Sequence, residues 1–187
     1  MKLFDPDPLS KFTLADLGLM TTARCETLDS LTAWGERLHP GMSCLILFRD
    51  IENRRAILRS RGGLMRPAGS QSRRYLLAGS LTEKVCDEGE TITHDDVMSW
   101  SPGMPEISDF AAKGLVATPI DGPAHDKVGI VAFLGLDDDF QLQQVIADAR
   151  NIASLVAQRV LLKATLATLQ RVAFGTGFEA IPQRRKH

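Results

Sequence analysis

A single α/β domain is the fold class that the sequence predicts, and three observations predict it. Residues Cys44 to Phe48 are apolar at every position, which suits a central strand covered on two sides. The segments on either side change between a period of two and helical spacing. The chain then closes on a helical stripe of about 34 residues, roughly 50 Å at 1.5 Å per residue and longer than a small domain is wide. A chain of 187 residues is long enough for one domain with a sizeable core and short for two.

Charge and composition exclude several classes. The 22 Lys and Arg balance 23 Asp and Glu, for a net charge of −1, so no nucleic-acid or anionic-membrane surface covers the molecule. The first eight residues hold two Asp-Pro pairs and no apolar core of export-signal length. No stretch approaches the roughly 18 consecutive apolar residues of a membrane span. A soluble, cytoplasmic protein without a membrane partner is the expectation. Cys25, Cys44 and Cys86 are odd in number, widely spaced and without a CxxC pair, so reduced, mostly buried thiols are expected and no metal set.

The elements follow in order. Residues 1–24 read as a leader with a short helix started by Thr13 and Asp16. Leu28, Leu31, Trp34 and Leu38 form one helical stripe with Thr27 as N-cap, stopped by His39-Pro40-Gly41. After the strand around Cys44–Phe48, a turn at 51–53 leads into a second strand, Arg54 to Ser60, with Ala56 and Leu58 on one face and Arg55, Ile57 and Arg59 on the other. Residues 61–72 are the clearest loop, and Arg73 to Leu77 a third strand. Ser80 to Cys86 reads as a short helix closing near Gly89, followed by a short strand at Glu90–Thr93 and an irregular stretch from His94 to Gly103. Pro105 to Lys113 reads as a helix with proline at its start and Gly114 after its end. Leu115 to Ile120 is a strand whose Pro119 should sit at an edge or bulge. Val128 to Leu136 is a strand with Ile130, Ala132 and Leu134 on one face and Val131 and Phe133 on the other. From Asp139 to about Val172 runs the long helix, with Val145, Ala149, Ile152, Val156 and Val160 on its main stripe. Residues 173–187 are a basic tail, expected to be solvated.

The ordered set of local words resembles the GAF domain family over residues 25–165. Ser80 to Gly89 followed by Glu90-Thr91-Ile92 is similar to the family's short helix ending in glycine before an apolar strand. Gly114 to Ile120 resembles its strand ending in Pro plus an aliphatic residue. Val128 to Phe133 and Asp139-Phe140 match the strand and closing helix that follow. The resemblance implies an α+β domain over 25–172: an antiparallel sheet of about six strands, terminal helices on one face and a ligand pocket on the other. It places Phe48, Arg74, Tyr75, Val85, Asp95, Trp100, Phe110 and Thr118 around that pocket. The acidic-aromatic pattern of cyclic-nucleotide-binding members is absent, as is the Cys-His pair of bilin-binding members, so neither ligand is expected and the cofactor stays unknown. Where sulfoxide-reducing members carry a cysteine, Thr82 stands, with Cys86 one turn later.

The remaining polar clusters have ordinary explanations beside functional ones. His94, Asp95, Asp96 and Trp100, preceded by Arg73, Arg74 and Tyr75, form the best functional group, yet Thr93 to Asp96 also suit a helix start. Adjacent acids point apart and make a poor metal pair. Asp137 to Asp139 lack the spacing of a calcium loop. His125 fits a hairpin tip, and Arg61, Arg66, Arg73 and Arg74 could receive an anion or simply face water. No catalytic set and no metal site is assigned. The leading expectation is a sensory module that binds an unidentified small molecule and acts through a partner or as a homodimer built from its terminal helices. The alternatives are a thiol sensor or free methionine sulfoxide reductase-like enzyme using Cys86, and a ligand-free dimerisation module.

Overall fold

The structure, a computed structural model, describes residues 12–21, 25–62, 74–94, 104–108, 110, 112–135 and 141–175. The run that is apolar at every position becomes β1 (Met42–Asp50), in which Cys44 to Phe48 expose no surface. It lies inside a six-stranded sheet with β2 (Arg55–Gly62), β3 (Arg74–Leu76), β4 (Ile92–His94), β5 (Gly114–Asp121) and β6 (Lys127–Gly135). The spatial order is β3-β2-β1-β6-β5-β4, and every neighbouring pair is antiparallel. The helices are α1 (Glu26–Leu38), α2 (Leu81–Glu88), α3 (Pro105–Ser108) and α4 (Leu142–Gly175). The α+β class and the six antiparallel strands are as the sequence predicts.

Alternation along the strands divides the interior into two cores. Cys44, Ile46, Phe48, Val131 and Phe133 face α4 and the segment from Phe12 to Met20. Leu45, Leu47, Ile130, Ala132 and Leu134 face α2 and α3. On the first face Val145, Ala149, Ile152, Val156 and Val160 of α4 are buried, the stripe expected from the sequence. α1 comes so close to the sheet that a Cβ on Gly35 would lie 2.8 Å from Cys44 Sγ and 2.9 Å from Phe133 Cζ. His39, just past the end of α1, joins this helix to α4 through a 2.9 Å contact between its Nε2 and Asp148 Oδ2, and its ring meets Phe133 edge-on.

Several boundaries differ from expectation for identifiable reasons. α1 begins at Glu26, so Thr27 lies inside it, and the preceding Cys25 makes no side-chain cap. Among the described residues of the helix expected from Pro105 to Lys113, Pro105–Ser108 are helical, and Phe110 N–H turns back to Ile107 O. β5 is an inner strand, yet Pro119 sits where it is locally an edge, next to a register shift between Ile120 and Asp121, as expected of an edge or bulge position. The proline is tolerated because the last β4 pair is Ile92 with Ala117, so that side of Pro119 has no neighbouring strand. A register shift between Ile46 and Leu47 leaves Arg59 as an extra residue in β2, a bulge that ends the alternation expected to Ser60. α4 satisfies the length and hydropathy of a membrane span over Leu142–Ala173, against the sequence reading; here its main stripe is spent on the sheet, and it carries Asp148, Arg150, Arg159, Lys163 and Arg171.

Gly35→Val should lower the unfolding free energy by about 1–3 kcal/mol through overpacking against Cys44 and Phe133. Arg37→Val, on an exposed position of the same helix, should change it by about 0.5 kcal/mol or less. Urea denaturation checks both values, and equal midpoints for the two variants would contradict the close approach.

Candidate functional site

The face covered by α2 and α3 holds the least ordinary side chain of the described structure. α2 starts with a capping arrangement: Ser80 Oγ accepts from Glu83 N–H at 3.0 Å, and Glu83 Oε2 accepts from Gly79 N–H at 2.7 Å. Gly89 ends it in the left-handed region, with φ of 70°, as glycine allows. Against the first turn lies Glu106 of α3, with no exposed surface. Its Oε2 accepts from Leu81 N–H and its Oε1 from Thr82 N–H, both at 3.4 Å, and Thr82 Oγ1 donates to it at 3.3 Å. These are long for hydrogen bonds to a carboxylate. Desolvation raises the Glu106 carboxyl above its ordinary value; bonds from its own backbone N–H and from Thr82 and Leu81 oppose the shift only in part.

The residues expected around a pocket divide between the two faces. Tyr75, Val85 and Phe110 belong to the core under α2 and α3. Arg74 is exposed on the edge strand β3, pointing opposite to Tyr75 by strand alternation. Asp95 and Trp100 lie outside the described residues. Phe48 and Thr118 correct the expectation. Phe48 shares its face with Cys44 and Ile46, because Leu45 and Leu47 take the other side. Thr118 meets Thr91 Oγ1 at 3.1 Å and opens, beside Arg150 and Ser154 of α4, on a cleft of about 490 Å³.

Of the other candidates, His94 ends β4 half-buried, while Asp96, Arg66, Arg73, Asp137 to Asp139 and the tail 183–187 lie outside the described residues. Among the described residues no three His, Cys, Asp or Glu side chains gather as metal ligands. His125 sits in the β5–β6 turn at φ of 61°, and Arg61 is exposed. The cysteines stay apart. Cys86 is a buried residue of α2, its thiol donates to Gly129 O at 3.5 Å, and burial pushes its pKa up to about 12. Cys44 lies across the sheet, with its thiol also raised by burial, and Cys25 belongs to the helix layer on that far side. A second cleft, of about 330 Å³, opens where the turns around Ile51 and Pro123 meet Phe12 and Leu14. Glu106 escaped the sequence reading because a glutamate in the first turn of a helix is ordinary, and nothing local signals that it is enclosed.

Comparison with solved structures gives the fold a name. The chain is similar to the GAF domain of the phosphoenolpyruvate-protein phosphotransferase of Acinetobacter, at TM-score 0.56 and 13% identity over 94% of this chain and 98% of that one. It is similar to free methionine-R-sulfoxide reductase from Neisseria meningitidis in complex with its substrate, at TM-score 0.59 and 11% identity over 89% and 98%. A far-red cyanobacteriochrome photoreceptor matches at TM-score 0.57 and 13% identity over 72% and 85%. No family model matches the sequence, and no curated protein does. The chain has the GAF fold; at these identities the likeness extends to the fold alone.

The raised pKa of Glu106 affects stability with a definite sign. The stability it contributes is fully present below the unfolded value, 4.5, and is lost as pH rises through the folded one. Glu106→Gln keeps the side chain neutral. Its stability relative to wild type should therefore rise from pH 4.5 towards neutrality, read from denaturant midpoints across that range. A difference that does not change with pH would contradict the burial described.

Proposed function

We propose that the protein is a sensory module that holds a small molecule on the α2–α3 face of its sheet and transmits the bound state through a homodimer formed by α4. The observation that carries the reading is Glu106: a fully buried carboxyl whose described partners are at 3.3 to 3.4 Å. An enclosed carboxylate without strong partners costs several kcal/mol, and perturbed buried acids concentrate at binding and catalytic sites. A ligand with a donor group directed at Glu106 supplies the missing interaction. Tyr75, Val85 and Phe110 are the proposed apolar contacts. A solved relative in fold, the sulfoxide reductase, is described with its substrate bound. The thiol reading is less well supported, because Cys86 is buried, raised in pKa and separated by the sheet from Cys44.

The dimer reading rests on the outer side of α4. Leu155, Gln158, Leu162, Thr165, Leu169 and Val172 follow one another at alternating spacings of three and four, the interval of a coiled-coil seam. Leu155, Leu162, Leu169 and Val172 are 41%, 57%, 58% and 62% exposed, flanked by exposed Leu161 and Leu166. Phe12, Leu14 and Met20 do pack on the first core, yet they leave this seam uncovered. Leaving it in water forgoes about 25 cal/mol per Å², and contiguous apolar faces of this kind mark interfaces.

Native mass spectrometry of the purified protein should show a co-purified small molecule that Glu106→Gln loses. A bare chain in both would leave the ligand-free dimerisation module in its place. Sedimentation equilibrium should show a dimer at micromolar concentration that becomes a monomer in the Leu162→Glu, Leu166→Glu variant. A wild-type monomer would contradict the self-interface.

A further inference from the structure

We infer that the molecule carries a second binding site, an oxyanion-binding cleft between the N-terminal segment, β2 and α4, on the face of the sheet away from Glu106. The cleft encloses about 350 Å³ and is lined by Thr21, Cys25, Glu26, Arg59, Arg159 and Lys163, among others. Among the described lining residues, three cations from two elements converge on it, against one carboxylate.

Each cation is directed there by the fold. Arg59 is the extra residue of the β2 bulge: Ile46 pairs with Ser60 and Leu47 with Leu58, leaving Arg59 between them. A bulge re-aims a side chain that strict alternation would place elsewhere. Arg59 is only 3% exposed, and its Nη1 donates to Thr21 O. Its neighbour Ser60 is engaged with α1, donating to Asp29 Oδ1 at 2.6 Å. Arg159 and Lys163 are four apart on α4 and so share one side of the helix, where like charges repel unless something offsets them. Lys163 Nζ donates to Leu17 O at 2.9 Å. Arg159 Nη2 lies 3.9 Å from Cys25 Sγ, and its Nε is buried without a hydrogen-bond partner among the described residues.

A tether for the N-terminal segment would explain the bonds to Thr21 O and Leu17 O. Charge-assisted bonds to carbonyls are strong enough to serve that purpose. The tether does not account for Arg159, whose described contact is a thiol. Two guanidinium groups with an ammonium beside them match the oxygens of a phosphoryl group, which guanidinium recognises in pairs of bonds. The ligand class is a small phosphate or phosphate ester. Bound there, it joins the N-terminal segment to β2 and α4, and stabilises the chain by mass action.

The inference is independent of a ligand at Glu106, and inorganic phosphate is the probe. Thermal unfolding of the full chain is measured at constant ionic strength, with sodium chloride replaced stepwise by sodium phosphate, and calorimetric titration gives the affinity. The melting temperature should rise along a saturating curve. Lys163→Gln and Arg159→Gln should each weaken phosphate binding tenfold or more, Arg159→Lys should weaken it less than Arg159→Gln, and Glu106→Gln should leave it unchanged. Circular dichroism confirms that each variant is folded, and if Arg159→Gln is not, the half-buried Lys163 decides alone. No phosphate-specific rise in melting temperature, or wild-type affinity in folded Lys163→Gln, overturns the site.

Discussion

A strand that is apolar on both sides has to be covered on both sides, and β1 imposes that requirement on everything around it. Cys44 to Phe48 expose no surface, and their antiparallel neighbour β6 repeats the pattern from Val128 to Leu134. Water can reach neither face without exposing several leucine, isoleucine and phenylalanine side chains, at about 1.5–3 kcal/mol each. The terminal helices meet the demand on one face and the short helices on the other. Close backbone approach makes the first cover tight. Gly35 lets α1 settle on Cys44 and Phe133, and Gly129, where a Cβ would lie 2.2 Å from Leu47 O, lets β6 pass beside β1.

The two covers handle polar groups differently, and the candidate sites follow from the difference. Where α1 meets the sheet and α4, polar groups pair closely: Thr32 Oγ1 and Ser60 Oγ are 2.9 Å apart, Ser60 reaches Asp29, and His39 reaches Asp148. On the α2–α3 side the bonds that Glu106 accepts from Leu81 and Thr82 are long, at 3.3 to 3.4 Å. A matched network fixes one arrangement of helix on sheet, whereas an undersatisfied buried carboxyl marks a place where a further partner would be stabilising.

Much of the fold was legible because periodicity reports burial directly. The two-sided run at Cys44–Phe48, the split of Ile130, Ala132 and Leu134 from Val131 and Phe133, the glycine closing α2 and the stripe along α4 all follow from local pattern. What escaped were features set by partners distant in sequence. The enclosure of Glu106 depends on how α3 packs against α2. The bulge at Arg59 depends on register with β1. Phe48 and Thr118 were assigned to the wrong face because likeness to a family locates a strand more firmly than it locates the direction of each side chain.

Native-state hydrogen exchange resolved by residue tests the two-sided cover most directly. The amides of Leu45, Ile46 and Leu47 in β1 and of Ile130 and Val131 in β6 should exchange only through global unfolding, with the free energy that denaturants report. Residues facing either cover should be equally slow. Rapid exchange in β1 and β6 while α4 remains protected would mean that the α2–α3 face is open to water, and would contradict the account.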